Sequence, residues 1–208
     1  MLAPMRDYPY EHAPRLPDSE TIDPRSLLGG EAPVELEIGP GRGWFMVERV
    51  ENDASARILG LEVKLKWATI VDERLKQRGF GDRARVFAED VARVLPRFTP
   101  ASLSRVYIHF PDPWWKKRHH KRLVVRDEVI REVVRTLVPG GELFVQTDVE
   151  ERAEAYQMLL DRVLELAPAP GGPRIEDNPF GARSPRERKA IQDELPVFRL
   201  LYRRRSDS

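Results

Sequence analysis

The chain contains no cysteine. Disulfides, thiolate metal sites and a cysteine nucleophile are therefore excluded. An excess of charge of either sign is also missing, because 35 Lys and Arg face 34 Asp and Glu and leave a net charge of +1. Such a surface does not coat nucleic acid over its whole area, so any RNA contact must come from local patches. No apolar run reaches the length of a bilayer span. The stretch from Met1 to Ala13 lacks the apolar core of a signal peptide. These two absences predict a cytoplasmic protein with no membrane partner. Histidine is scarce, with four in all. His109, His119 and His120 have no third ligand at a suitable spacing, so no metal is expected. No serine sits in a nucleophile elbow. What remains is a chain of 208 residues with 41% hydrophobic content, enough for one sizeable core.

The pattern along the chain supports that core from about residue 29 onward. Residues 1–28 are a proline-rich extension with few apolar residues between Pro4, Pro9, Pro14, Pro17 and Pro24. That is poor material for a packed element, and two readings stand: a mobile tail, or a segment folding back over a substrate. Residues 29–208 are expected to form a single domain. Strands are predicted at Val34 to Ile38, Arg57 to Leu61, Arg85 to Ala88, Val106 to Phe110, Glu142 to Thr147 and Val197 to Tyr202. Helices are predicted over Trp44 to Val50, Lys64 to Gln77, Val124 to Val138 and Glu150 to Leu166. Pro139-Gly140-Gly141 is read as the stop of the third helix, and Ala167 to Arg183 as a loop. Alternating strands and helices give an α/β fold, a parallel sheet with helices on both faces. Ligands in such sheets lie beyond the carboxyl ends of the strands. Five acids, Glu37, Glu62, Asp90, Asp112 and Asp148, lie at or just past five strand ends.

Gly39, Gly41 and Gly43 form a glycine turn between the first strand and the first helix. Trp44 stands where a dinucleotide fingerprint would place its last glycine. Glu37, two residues before the turn, is badly placed beside a pyrophosphate. It is well placed beside the cationic methionine part of S-adenosylmethionine. The amides of the turn suit that cofactor's carboxylate. Glu62 is placed for both ribose hydroxyls, and Asp90 for the adenine amino group.

The densest local patch runs from Ile108 to Arg122. Pro111 and Pro113 stiffen the backbone around Asp112, and Phe110 and Asp112, each before a proline, are expected to be extended. Phe110, Trp114 and Trp115 offer faces for an unstacked base. Lys116, Lys117, Arg118, Lys121 and Arg122 offer phosphate contacts. A nucleic-acid base is the substrate this arrangement suits.

Taken together, Glu37-Ile38-Gly39-x-Gly41-x-Gly43, Gly60-Leu61-Glu62-Val63, Phe110-Pro111-Asp112-Pro113-Trp114, the run from Lys116 to Arg122, and Gln146-Thr147-Asp148 resemble the bacterial tRNA (guanine-N7)-methyltransferase family. The resemblance covers about residues 33–203. It implies a Rossmann-like class I methyltransferase domain with a seven-stranded, mostly parallel sheet whose last strand is antiparallel. It implies S-adenosyl-L-methionine as donor and a guanine in the variable loop of tRNA as acceptor. Carried across by motif, Glu37, Glu62, Asp90 and Asp112 are cofactor-proximal, with Asp112 the catalytic acid. Lys116 and Asp148 contact the substrate. The family's Thr-x-x-Glu motif matches Ser184-Pro185-Arg186-Glu187, which places Ser184, Arg186 and Glu187 at the substrate. Here Pro185 replaces the usual basic residue and Arg186 an aromatic one. Three other readings are weighed: a non-catalytic RNA-binding relative, a methyltransferase acting on a small molecule or another RNA atom, and a nucleotide-dependent oxidoreductase. Either a monomer or a homodimer is compatible with the sequence.

Overall fold

The structure is a computed structural model that describes residues 10–111 and 124–206. Seven strands form one sheet: β1 (Val34–Ile38), β2 (Ile58–Leu61), β3 (Ala84–Phe87), β4 (Leu103–His109), β5 (Leu137–Thr147), β6 (Leu166–Pro168) and β7 (Phe198–Arg204). Their order is β3-β2-β1-β4-β5-β7-β6. The first five run parallel, and β7 is antiparallel to β5. This is the seven-stranded, mostly parallel α/β sheet that the family resemblance implied.

Among the described residues, six α-helices connect the strands: α1 (Trp44–Asn52), α2 (Leu65–Gln77), α3 (Val91–Val94), α4 (Asp127–Thr136), α5 (Glu150–Leu160) and α6 (Pro185–Gln192). Their apolar stripes divide the core in two. Val129, Ile130, Val133 and Val134 of α4 join Leu36, Ile38, Val106 and Ile108 on one face. Phe45, Met46 and Val50 of α1 and Val71 and Leu75 of α2 join Ile58, Val86, Tyr107 and Phe144 on the other. All five residues of β1 are buried, so its alternation sends Val34, Leu36 and Ile38 into one cluster and Glu35 and Glu37 to the opposite face.

Several boundaries differ from the expected ones. Pro139-Gly140-Gly141 does not end a helix but lies inside β5. The strand begins at Leu137 against Leu103, shifts register, and resumes at Glu142 against Arg105; Gly140, at φ 77°, absorbs the irregularity. The last long helix stops at Leu160, and Leu166–Pro168 form the short edge strand β6. Proline is tolerated there because an edge strand need not donate on its outer side.

Residues 10–28 pack along the sheet. Ala13, Leu16, Ile22 and Leu28 are buried. Ala88 N donates to Pro14 O at 2.7 Å, and Ile22 N to Arg97 O at 2.8 Å. No helix among the described residues is long and apolar enough to cross a membrane.

Candidate active site at the carboxyl edge of the sheet

The chain winds from β1 outward through β2 to β3, then returns to place β4 on the other side of β1. The carboxyl ends of β1 and β4 therefore flank the crevice where the winding reverses. The ends of β1, β2, β3 and β5 bring Glu37, Glu62, Asp90 and Asp148 to one edge. Asp112, Lys116, Lys117, Arg118, Lys121 and Arg122 lie outside the described residues.

Two cavities open on this edge. The first, about 500 Å³, is lined by Gly39, Gly41, Leu61, Glu62, Asp90 and Val91 among others. The second, about 440 Å³, is lined by Glu37, Arg42, Asp148, Ser184, Pro185 and Arg186 among others. They share Gly39, His109, Phe110 and Pro111. The common wall is thus the glycine turn facing the end of β4.

The three glycines of the turn have different tasks. All have positive φ, at 70°, 55° and 69° for Gly39, Gly41 and Gly43. A Cβ on Gly39 or Gly41 would meet nothing within 4 Å, whereas one on Gly43 would meet Val71 Cγ1 at 2.1 Å. Gly39 and Gly41 leave open the space of the first cavity. Gly43, expected as a cofactor residue, lines neither cavity and instead lets α1 start against α2.

Phe110 departs from expectation. It precedes Pro111, yet its φ is +46°, in the left-handed region that bulky residues avoid. Its amide donates to Gln146 O at 2.8 Å, which extends the β4–β5 ladder one residue past His109. A strained backbone at the shared wall is a feature typical of binding sites.

The acids are held in distinct ways. Glu62 accepts from Gly41 N at 3.0 Å and Lys64 N at 2.9 Å, so it pins the glycine turn to the end of β2. Asp90 caps α3 through Ala92 N at 2.9 Å and stays exposed. Glu37 is buried; its Oε1 lies 2.8 Å from His109 Nδ1, and its Oε2 has no partner among the described residues. Both amide atoms of the buried Gln146, opposite His109 in register, also lack partners.

Beneath the site, Glu35 accepts from Arg49, Arg105 and Tyr107 at 2.7–2.9 Å. Burial lowers the Arg49 pKa, but its bond and charge contact with Glu35 outweigh that, and the net direction is up. Burial pushes the Tyr107 hydroxyl well above its ordinary value, and the Glu35 charge adds to the rise.

In the second cavity, Asp148 Oδ2 accepts from Arg186 Nε at 3.0 Å and Nη2 at 2.6 Å. Ser184 caps α6, its Oγ accepting from Glu187 N at 3.2 Å. Glu187 is fully buried and accepts from Arg199 and Asn178 at 2.9–3.2 Å. Ser184 and Arg186 thus reach the cavity, and Glu187 does not. The residues that sequence reasoning missed are His109, read only as a metal candidate, and Arg42 and Gln146. The signal for His109 was available, because it follows Tyr107 by two on β4 and shares that face.

The family model described as "Putative methyltransferase" matches residues 31–200. A tRNA (guanine-N(7)-)-methyltransferase of Alkalilimnicola ehrlichii is 37% identical over 194 residues, covering 92% of this chain and 81% of the relative. One from Synechococcus sp. (strain JA-3-3Ab) is 35% identical over 175 residues, covering 83% and 73%.

The chain belongs to the tRNA (guanine-N7)-methyltransferase family.

Membership agrees with the fold. A geranyl diphosphate C-methyltransferase from Streptomyces coelicolor, solved with S-adenosyl-L-homocysteine, superposes with a TM-score of 0.54 at 15% identity, covering 87% of this chain and 76% of that one. A SAM-dependent O-methyltransferase from Thermotoga maritima gives 0.53 at 14%, covering 88% and 64%. At these identities the likeness is one of fold. The Asp148–Arg186 pair follows from the arginine at position 186, where the sequence reading places an aromatic residue in the family's motif.

Proposed function

We propose that this chain transfers a methyl group from S-adenosylmethionine to N7 of a guanine in the variable loop of tRNA, in the cytoplasm. The observation that carries this reading is the pair of cavities meeting at Gly39, His109, Phe110 and Pro111. A group-transfer enzyme needs two compartments with one opening between them, one for donor and one for acceptor.

The first cavity fits the donor. Gly39 and Gly41 leave open space where side chains would intrude. Glu62 and Asp90 stand for the ribose hydroxyls and the adenine amino group, and the turn amides stand for the carboxylate. Glu37, held by His109 of the shared wall and with its other oxygen unpartnered among the described residues, stands for the ammonium group. When bound, S-adenosylmethionine supplies an electrophilic methyl group on a sulfonium.

The second cavity fits a base. Guanine N7 carries an in-plane lone pair and no proton, so no general base is needed to expose the nucleophile. The residues must align it, and alignment is the main source of acceleration. Asp112 acts as orienter and electrostatic stabiliser: its carboxylate accepts from N1–H and the exocyclic amino group and stabilises the cationic product. The same carboxylate would repel the N1 acceptor of adenine. Asp148, with Arg186 and Ser184 beside it, is the second acid for the base. Lys116, Lys117, Arg118, Lys121 and Arg122 grip phosphates.

The test uses tRNA from cells lacking N7-methylguanine, incubated with the protein and methyl-labelled S-adenosylmethionine, with Asp112→Ala in parallel. Label in N7-methylguanosine that disappears in the variant is the expected result. Label in another nucleoside discards the substrate. Cofactor binding without label points to a non-catalytic RNA-binding relative.

A further inference from the structure

We infer that His109 is a positioning residue for the donor: its Nδ1 fixes one oxygen of Glu37 so that the carboxylate's other oxygen is kept for the ammonium group. The inference rests on the reading of Glu37 proposed above.

The argument begins with two acids on one strand. Glu35 and Glu37 lie two apart on β1, share a face and are both buried. Glu35 is saturated by two arginines and a tyrosine hydroxyl. Among the described residues, Glu37 has one side-chain partner, His109, and no Lys or Arg pairs with it. A buried carboxylate with one bare oxygen is costly. Such a group persists where a ligand completes it. Glu37 lines the second cavity and is bonded to His109, which lines both, so a cationic ligand group beside that wall can serve.

His109 is built for the holding task. Its side chain is 4% exposed. The ring packs edge-on to Phe45 at 4.3 Å and to Phe144 at 5.9 Å, and stacks on Tyr107 at 5.8 Å. Three aromatic neighbours fix its plane. A carboxylate only accepts, so the bond to Glu37 places the ring proton on Nδ1. Nε2 is buried and has no partner among the described residues. A phenylalanine would fill the same aromatic nest at no polar cost. The imidazole is distinguished from it by the Nδ1 hydrogen bond alone, and that bond goes to the one acid of the pair that a ligand must complete.

The experiment compares wild type, H109F, H109N and E37Q. Calorimetry gives the Kd for S-adenosylhomocysteine, steady-state assays with tRNA give kcat and both KM values, and thermal melting checks folding. Loss of a charge-assisted bond predicts a Kd raised about tenfold in H109F. The KM for the donor should rise in step with Kd, and by a larger factor than the KM for tRNA. H109N, whose amide N–H stands where Nδ1–H stood, should recover the affinity. Wild-type affinity in H109F overturns the inference. So does a loss in H109N equal to that in H109F, which would mean packing and not the bond is at work. E37Q separates the two claims: weak binding in E37Q with wild-type H109F removes the role of His109 alone, whereas wild-type affinity in E37Q removes that of Glu37 and His109 together.

Discussion

Alanine substitutions at Gly41 and Gly43 test how the glycine turn divides its work. Both residues have positive φ, so alanine at either costs about 1–2 kcal/mol in backbone energy. At Gly41 nothing lies within 4 Å of the new Cβ, and that is the whole stability cost. At Gly43 the new Cβ falls 2.1 Å from Val71 Cγ1 and 2.9 Å from its Cγ2. Val71 is fully buried in the middle of α2 and cannot retreat. Overpacking a core costs about 1–3 kcal/mol more, so G43A should lose about 2–5 kcal/mol in total. The affinities should rank in the opposite order. The Gly41 Cβ projects into the space of the first cavity and should weaken S-adenosylhomocysteine by more than tenfold, a change of about 1.4 kcal/mol or more. Urea unfolding measures the first quantity and calorimetry the second. Equal stability loss in the two variants would refute the packing argument. Wild-type affinity in G41A would refute the assignment of the cavity.

Three further outcomes are expected. R199L leaves the fully buried Glu187 carboxylate without its cation, which should cost about 3–5 kcal/mol; a double-mutant cycle with E187L should recover most of it, and additivity would contradict the pairing. Burial pushes the Glu142 carboxyl up, but hydrogen bonds from Arg203 and Arg105 outweigh it and the net direction is down. Its stabilisation is therefore present above the unfolded pKa and lost as pH falls through the lower folded value, so urea midpoints of wild type and E142Q should converge below pH 4.5; a constant gap would contradict the sign. R186A frees Asp148 from an exposed pair worth less than about 1 kcal/mol, so it should leave the fold and donor Kd unchanged while raising the KM for tRNA about two- to fivefold through a looser Asp148. An unchanged KM would detach that pair from the substrate.

The sheet could be read from the sequence because its longer strands carry recurring buried apolar residues, are bounded by turn residues, and are separated by helices of clear period. Short elements escaped. The four-residue α3 and the three-residue β6 are too brief to show a period. Pro139-Gly140-Gly141 carries a stop signal in sequence, and only the register shift against β4 reveals that the strand runs through it. Helix α6 was signalled but read as something else. Ser184 with Glu187 three residues on, and Pro185 between them, is the pattern of a capped helix start with proline in the first turn. The resemblance reads the same four residues as a substrate motif. Both readings apply to different atoms: Ser184 Oγ and the Glu187 carboxylate build and anchor the helix, and Arg186 turns to Asp148 and the cavity.

The hardest distinction in the sequence was between Glu35 and Glu37. They have the same residue type, strand, face and burial. Nothing within β1 separates them. What separates them is what the neighbouring strand places opposite each. On β4, Arg105 pairs with Glu35 in register, and Tyr107, the next residue on that face, also reaches it. One step further, past the end of β1, His109 reaches Glu37 with a single bond. The arginines and the tyrosine close the first acid, and the histidine leaves one buried oxygen of the second without a partner among the described residues. On the proposed reading of Glu37, the change of partner from arginine to histidine along β4 is what separates a scaffold acid from a donor-binding one two residues away.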